Sequence, residues 1–375
     1  MTKNHPNRQF KYIFWIKWVL PAFLITLFEW IKNYPGWIEK NYSNGWYISI
    51  GRALRFSTGW VPFSLGDVLY VILGVGIVIE LIRLAIALFQ HISRSILLGF
   101  LLQWCRSLMW IYIVFNCFWG LNYYRSGITA QLQLEPYRYC KEEVVLLTDS
   151  LIQKVNEYRR QIPDTGLPQK PLYQIKQEAK NSYSHAAQQF SFLAYHPVAL
   201  KNSLYSKLGM YLGFTGYYNP FSGEAQYRND IPTVLLPYVM CHEISHQIGY
   251  ASESEANFAG YLSCSSSTDP YFLYSVYLDL FTYAQSEEIR IFIRDGDTTG
   301  LKSALLYNKT HIDSLVKKDR KAIRSFFMQE ENKVSPVMSN IYDQYLKLNM
   351  QHTGVESYNE VIGWLLAYQK KYGKM

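Results

Sequence analysis

Residues 242–246 read His-Glu-Ile-Ser-His. On a helix, positions four apart share a face, so the imidazoles of His242 and His246 can reach one metal ion. Glu243, one residue along, is placed to take a proton from a water that such an ion activates. The flanks suit a bounded, buried helix. The apolar run over 233–240 leads in, and Pro237 falls where a first helical turn tolerates a missing N–H. Gly249 follows the second histidine and supplies a stop. Two imidazoles and a carboxylate on an apolar helix are costly to desolvate without a partner. A metal ion is the partner this spacing predicts.

The third ligand needs a separate argument. The metzincin arrangement H-E-x-x-H-x-x-G-x-x-H is matched through Gly249, but its last position holds Ser252, a poor zinc ligand. Two carboxylates remain, Glu253 and Glu255. Ser252 to Glu255 has the form S-x-x-E, a capping box opening a second helix, with Ser252 as N-cap and Glu255 folded back onto the Ser252 N–H. Glu253 is then free to face the metal. Asn257, four residues on, shares its face and can support a ligand from behind. A helix beginning two residues later would exchange the faces and make Glu255 the ligand, so both carboxylates stay open. Two histidines and a glutamate, with a fourth position for water, make the catalytic form of a zinc site. Zn2+ is the expected cofactor.

Other groups deserve weighing. Glu224 in 219–226 could meet substrate, or it could simply anchor a loop. Tyr217, Tyr218 and Tyr250 could donate to an oxyanion, although 32 tyrosines dilute any one of them. Gln247 is expected to pack beside the site. His185, His196, His311 and His352 lack ligand spacing and read as surface or structural. The five cysteines (Cys105, Cys117, Cys140, Cys241, Cys264) form no C-x-x-C pair, so neither a disulfide framework nor a cysteine zinc site is expected.

The elements that must carry this site differ along the chain. Of 375 residues, 17% are aromatic and only 18% charged. Three stretches of the first third, 12–31, 65–89 and 105–124, are long and apolar enough to cross a bilayer of about 30 Å. The sequence therefore predicts a membrane anchor over 1–125 with three transmembrane helices. Asp67 and Glu80 interrupt the second stretch, and intramembrane carboxylates are functional candidates unless they sit at the interface. Lys3, Arg8 and Lys11 precede the first stretch densely, which favours a cytoplasmic N-terminus and places 126–375 outside the cytoplasm. The formal net charge of +8 suits anionic lipid, and the scattered basic residues argue against nucleic acid. Residues 126–375 show mostly helical periodicity, with a Gly/Pro break over 163–171 and a turn-rich, β-prone segment over 213–232. The fold class expected is mainly α with a small β part.

The residues Glu253 to Asn257, reading ExxAN after HExxH, resemble the gluzincin pattern of the HtpX and ImmA/IrrE-type peptidases. That resemblance implies Glu253 as the metal ligand, although only six residues separate it from His246. The segments 61–70, 118–125, 216–226, 241–258 and 354–368 together resemble a bacterial family of membrane-anchored HExxH proteins, catalogued as domain of unknown function 3810. The resemblance implies N-terminal spans followed by a zincin-like domain over 126–375. The function expected is that of a membrane-anchored zinc metallopeptidase in the bacterial inner membrane, acting on a peptide or protein. The alternative is a non-catalytic envelope scaffold whose zinc is structural, with a fourth protein ligand from Cys241, Cys264 or Glu255.

Overall fold

The computed structural model describes residues 15–90, 94–134, 138–330, 344 and 360–373. Helices dominate, as the periodicity predicts. α1 (Leu20–Ile31), α2 (Tyr47–Gly59), α3 (Leu65–Phe89) and α4 (Arg94–Phe118) occupy the first third, with a π-helical stretch Ile38–Trp46 before α2. α5 (Lys141–Arg160) and α6 (Leu172–Gln189) flank the Gly/Pro break. α5 carries Glu142 and Glu143 in its first turn and Arg159 and Arg160 in its last, charges that complement the helix dipole.

A three-stranded sheet interrupts the helices. It comprises β1 (Leu200–Asn202), β2 (Gly216–Asn219) and β3 (Glu224–Tyr227) in the order β1-β3-β2, with the short α7 (Ser206–Leu212) between β1 and β2. β1 runs parallel to β3, whereas β2 pairs antiparallel with Tyr217 opposite Gln226. The β-prone segment is thus a hairpin with its inner strand fully buried. α8 (Leu236–Gln247) and α9 (Glu253–Cys264) follow, then α10 (Pro270–Arg294), α11 (Thr298–His311), α12 (Ser314–Glu330) and α13 (Glu360–Tyr372). One core gathers apolar side chains from α5, α6, α8, α9, α10 and α13. A smaller one joins Phe28, Ile38, Tyr42, Tyr47, Ile113, Trp119 and Leu121 to Ala251, which lies between the two site helices.

Two helices, not three, are long and apolar enough to span a membrane among the described residues: Leu65–Phe89 and Ser95–Phe118. In each the most apolar window is only 6% buried, unlike a core helix of a soluble protein. The expected first span at 12–31 becomes a five-residue π-helical start and the 12-residue α1. Together these 17 continuous residues rise about 25 Å, short of a hydrocarbon core of about 30 Å. Residues 12–14, like Lys3, Arg8 and Lys11, lie outside the described residues. The span expected at 105–124 also shifts. Its helix runs Arg94–Phe118, and the chain then turns into the domain, where Leu121 and Asn122 are buried. Both ends of the α3–α4 hairpin therefore meet the same body.

Glu224 and Asp67 make the joint. Glu224 is fully buried and accepts hydrogen bonds from the N–H groups of Gly66 (2.6 Å) and Leu65 (3.2 Å) and from the Ser64 hydroxyl (3.3 Å). It caps the N-terminus of α3, where unpaired donors and the dipole favour an anion. Asp67, in the first turn, accepts from the Leu204 N–H (2.7 Å) and the Tyr217 hydroxyl (2.5 Å). Glu224 and Tyr217 thus tie the sheet to the first turn of α3. Glu80 pairs with Arg83 on the exposed face of α3.

Replacing Glu224 by Ala should strip a buried acceptor from two backbone donors, a loss of about 1–3 kcal/mol. A thermal melt of the purified full chain should show a clear fall in Tm with bound metal unchanged at saturating supply; an unaltered melt would contradict this capping role.

Candidate metal centre

α8 begins as the proline predicts, with Pro237 in its first turn. The Tyr183 hydroxyl contacts the Cys241 carbonyl (2.6 Å) and the Ser245 hydroxyl (2.7 Å). The Gln247 amide donates to the carbonyls of Ala199 (2.9 Å) and Gly223 (2.7 Å), beside the site as expected. Gly249 ends the helix at φ +101°, a conformation that side chains resist. The chain reverses there, and the Ser252 hydroxyl caps α9 by accepting from the Glu255 N–H (3.3 Å). Gly260 then lets α9 lie directly against α8. A Cβ there would stand 3.1 Å from the His242 nitrogen and 3.2 Å from its Cα.

That crossing brings the first residue of α9 over the two histidines. Glu253 Oε2 lies 3.2 Å from His242 Nε2, and its Oε1 lies 3.7 Å from His246 Nε2. The ligand atoms of His242, His246 and Glu253 all fall within 4.8 Å of one another, so the cluster could hold a metal ion. Glu255 goes elsewhere. Its Oε1 accepts from the Ile128 N–H (2.8 Å) and its carboxylate also meets the Ser252 side chain, in place of the Ser252 N–H that the capping box predicts. The buried amide of a neighbouring segment wins that carboxylate.

The far side of each imidazole is occupied. His242 Nδ1 lies 2.8 Å from Asn257 Oδ1, and His246 Nδ1 lies 2.7 Å from the Tyr250 carbonyl. Both partners are acceptors, so each Nδ1 carries the hydrogen and each Nε2 faces Glu253, where His242 Nε2 is close enough to share a proton with the carboxylate. This orientation is what a ligating histidine requires. Burial lowers His242, but the Glu253 hydrogen bond and the charges of Glu253 and Glu243 outweigh it, raising the imidazole to about 9. Burial drives His246 down to about 4. Glu243 is pushed up to about 8 by burial, with the Glu253 charge adding to the shift. Glu243 Oε2 is buried and has no hydrogen-bond partner among the described residues. A divalent cation beside these groups would reverse that electrostatic cost. The donor set and the orphaned oxygen both fit such an ion.

The expected oxyanion donors are placed otherwise. Tyr218 Oη meets Tyr47 Oη at 3.3 Å, with its ring against Trp119. The Tyr250 hydroxyl donates to Gln131 (2.7 Å), and its contribution to the site is its carbonyl. Cys241 and Cys264 are buried against Ser182 and the Phe272 carbonyl, so neither closes the cluster. His185, His196 and His311 are exposed, and His352 lies outside the described residues.

Several supports escaped sequence reasoning. The Gln247 carbonyl accepts from the Tyr47 hydroxyl and from Arg55 Nη1, each at 2.9 Å. Trp119 Nε1 donates to the His246 carbonyl (3.3 Å), and Arg125, held by Glu39 at 2.7 Å, donates to the Gly249 carbonyl (3.0 Å). The expected division at residue 125 falls within these contacts. No spacing rule connects such residues to a motif more than a hundred positions away. Asp279 on α10 was missed likewise. Burial pushes its carboxyl up to about 6, against a Tyr283 hydrogen bond and the His242 charge.

The family model described as "Protein of unknown function (DUF3810)" matches residues 42–366. No curated protein and no solved structure matches the chain.

The two carboxylates should separate in a metal titration. Glu253→Gln removes a charged ligand, and affinity should fall by orders of magnitude. Glu255→Gln keeps an acceptor for the Ile128 N–H and should bind nearly as tightly as the parent. Tighter binding by the Glu253 variant would reverse the assignment.

Proposed function

We propose that this chain, which belongs to the DUF3810 family, is a membrane-anchored zinc metallopeptidase. The observation that carries the reading is a three-ligand cluster, His242, His246 and Glu253, with both Nδ1 atoms engaged and an unpartnered buried carboxylate oxygen beside it. Two imidazoles and one carboxylate are a donor set suited to Zn2+, and three protein ligands leave a position for water or substrate. When bound, the ion supplies Lewis-acid activation of water and of a scissile carbonyl.

The protein's own groups do the rest. Glu243 takes the proton of the attacking water at its free oxygen and delivers it to the leaving amine. Asn257 and the Tyr250 carbonyl hold the two imidazoles in the ligating tautomer. The scaffold alternative needs a closed site. The turning away of Glu255, Cys241 and Cys264 favours the catalytic reading.

We place the chain in the bacterial inner membrane. Arg83 and Arg94 flank the distal end of the α3–α4 hairpin, and positive charge marks the cytoplasmic side. The site domain, at the other end of the hairpin, is then extracytoplasmic.

Glu243→Gln should retain stoichiometric zinc and lose hydrolysis by about 100-fold or more, since an amide cannot accept the proton. Turnover near the parent rate would remove Glu243 as the base. Reporter fusions after Arg125 test the topology: an extracytoplasmic reporter should be active there, and a reporter active only in the cytoplasm would invert the orientation.

A further inference from the structure

Around the point where α3 leaves the domain, the protein exposes side chains that water does not favour. α2 presents Ile48, Arg52, Phe56 and Trp60 at four-residue intervals on its outer face, while Tyr47, Gly51, Arg55 and Thr58 face inward. Phe56 is 78% exposed and Trp60 79%. α2 ends at Gly59 and α3 begins at Leu65, so these rings stand within two turns of a helix built for lipid. α7 repeats the pattern. Its inward positions are Ser206 and Gly209, and Leu204, Leu208, Tyr211 and Leu212 project outward beside Lys207.

Both elements are locked at the level of α3's first turn. Asp67 receives the Leu204 N–H, and the Tyr205 hydroxyl donates to the Asp67 carbonyl at 2.7 Å. Thr58 donates to the Ser222 carbonyl (3.2 Å), and Lys201 holds the Gly59 carbonyl (2.9 Å). The geometry points to a collar, formed by α2 and α7, that lies in the headgroup layer of the bilayer α3 enters. Aromatic and aliphatic side chains flanked by cations are the composition that layer accepts. The occupant of this apolar face is lipid, because the face continues directly into the exposed surface of α3.

The consequence for the site follows from chain distance. α7 ends at Leu212, and Gly216 of edge strand β2 lies against Glu243, where a Cβ would meet Oε1 at 2.6 Å. Three residues (213–215) thus separate the collar helix from the strand residue that touches the Glu243 carboxylate. This deepens the peptidase reading and rests on it: the substrate class is a polypeptide held at the bilayer surface by a lipid or membrane anchor.

Spin labels at Phe56→Cys and Leu208→Cys test the collar, in the full chain with Cys105, Cys117 and Cys140 changed to Ser. The reference is Leu146→Cys on α5, which is 67% exposed on a helix that packs against α10, α11, α12 and α13. In vesicles of phosphatidylethanolamine and phosphatidylglycerol, labels at 56 and 208 should collide with oxygen more than with a water-soluble nickel complex, and 146 should show the reverse. Labels at 56 and 208 that behave like 146, or that are shielded from both agents as in a contact between copies, would overturn the collar. A mixed-sequence peptide library is then offered with and without a dipalmitoyl anchor. The anchored library should be cleaved at least tenfold faster, with the advantage lost in Leu208→Glu at unchanged zinc content. Equal rates overturn the substrate class alone. Cleavage of neither, with the labels immersed, overturns the peptidase reading and the substrate class together and leaves the collar standing.

Discussion

The carbonyls at the C-terminal end of α8 have to be satisfied, and the rest of the structure is arranged around that need. A helix leaves its last acceptors without intrahelical donors. Here the break at Gly249 is also the place where the second metal-facing histidine must be held. Tyr47, Arg55, Trp119 and Arg125 converge on the carbonyls of His246, Gln247 and Gly249. All four come from the first third of the chain. The helix that bears the histidines is therefore completed by segments that flank the two long apolar helices α3 and α4. Arg125 can serve in so buried a place because Glu39 neutralises it; an unpaired guanidinium there would be costly.

The opposite pole of the same device is found at α3. Its unpaired N–H groups are taken by Glu224 from the innermost strand. One helix terminus of each kind is thus capped across the boundary between the apolar hairpin and the site domain. Both caps are buried. Displacing the hairpin would expose donors at one end and acceptors at the other, so the geometry of the metal cluster is tied to the position of α3 and α4.

At the cluster, burial and charge work against each other. Burial disfavours charge on His242, His246 and Glu243, yet Glu253 stands among them within reach of both imidazoles. Without a cation the favourable compromise puts a proton on His242. A divalent ion would serve the same carboxylates with more charge, held by His242, His246 and Glu253. The acceptors at Asn257 and Tyr250 fix the orientation of both rings.

Local chemistry made much of this legible. The pairing of His242 with His246, the placing of Glu243, the helix start at Pro237, its stop at Gly249 and the N-cap at Ser252 follow from periodicity and capping rules that act within a turn or two. So did Asn257, four residues from Glu253. The span at 65–89 was legible because hydropathy over one helix is enough to mark it; the segment 12–31 misled because hydropathy does not see where a helix loses its regular period. The competition for Glu255 was not legible. Ser252 lay three residues away, but the Ile128 N–H, more than a hundred positions distant, took the carboxylate. Glu224, Tyr217, Trp119, Arg125 and Asp279 were decided in the same way. Their partners are neighbours in space and not in sequence, and only the packed chain determines which buried donor meets which acceptor.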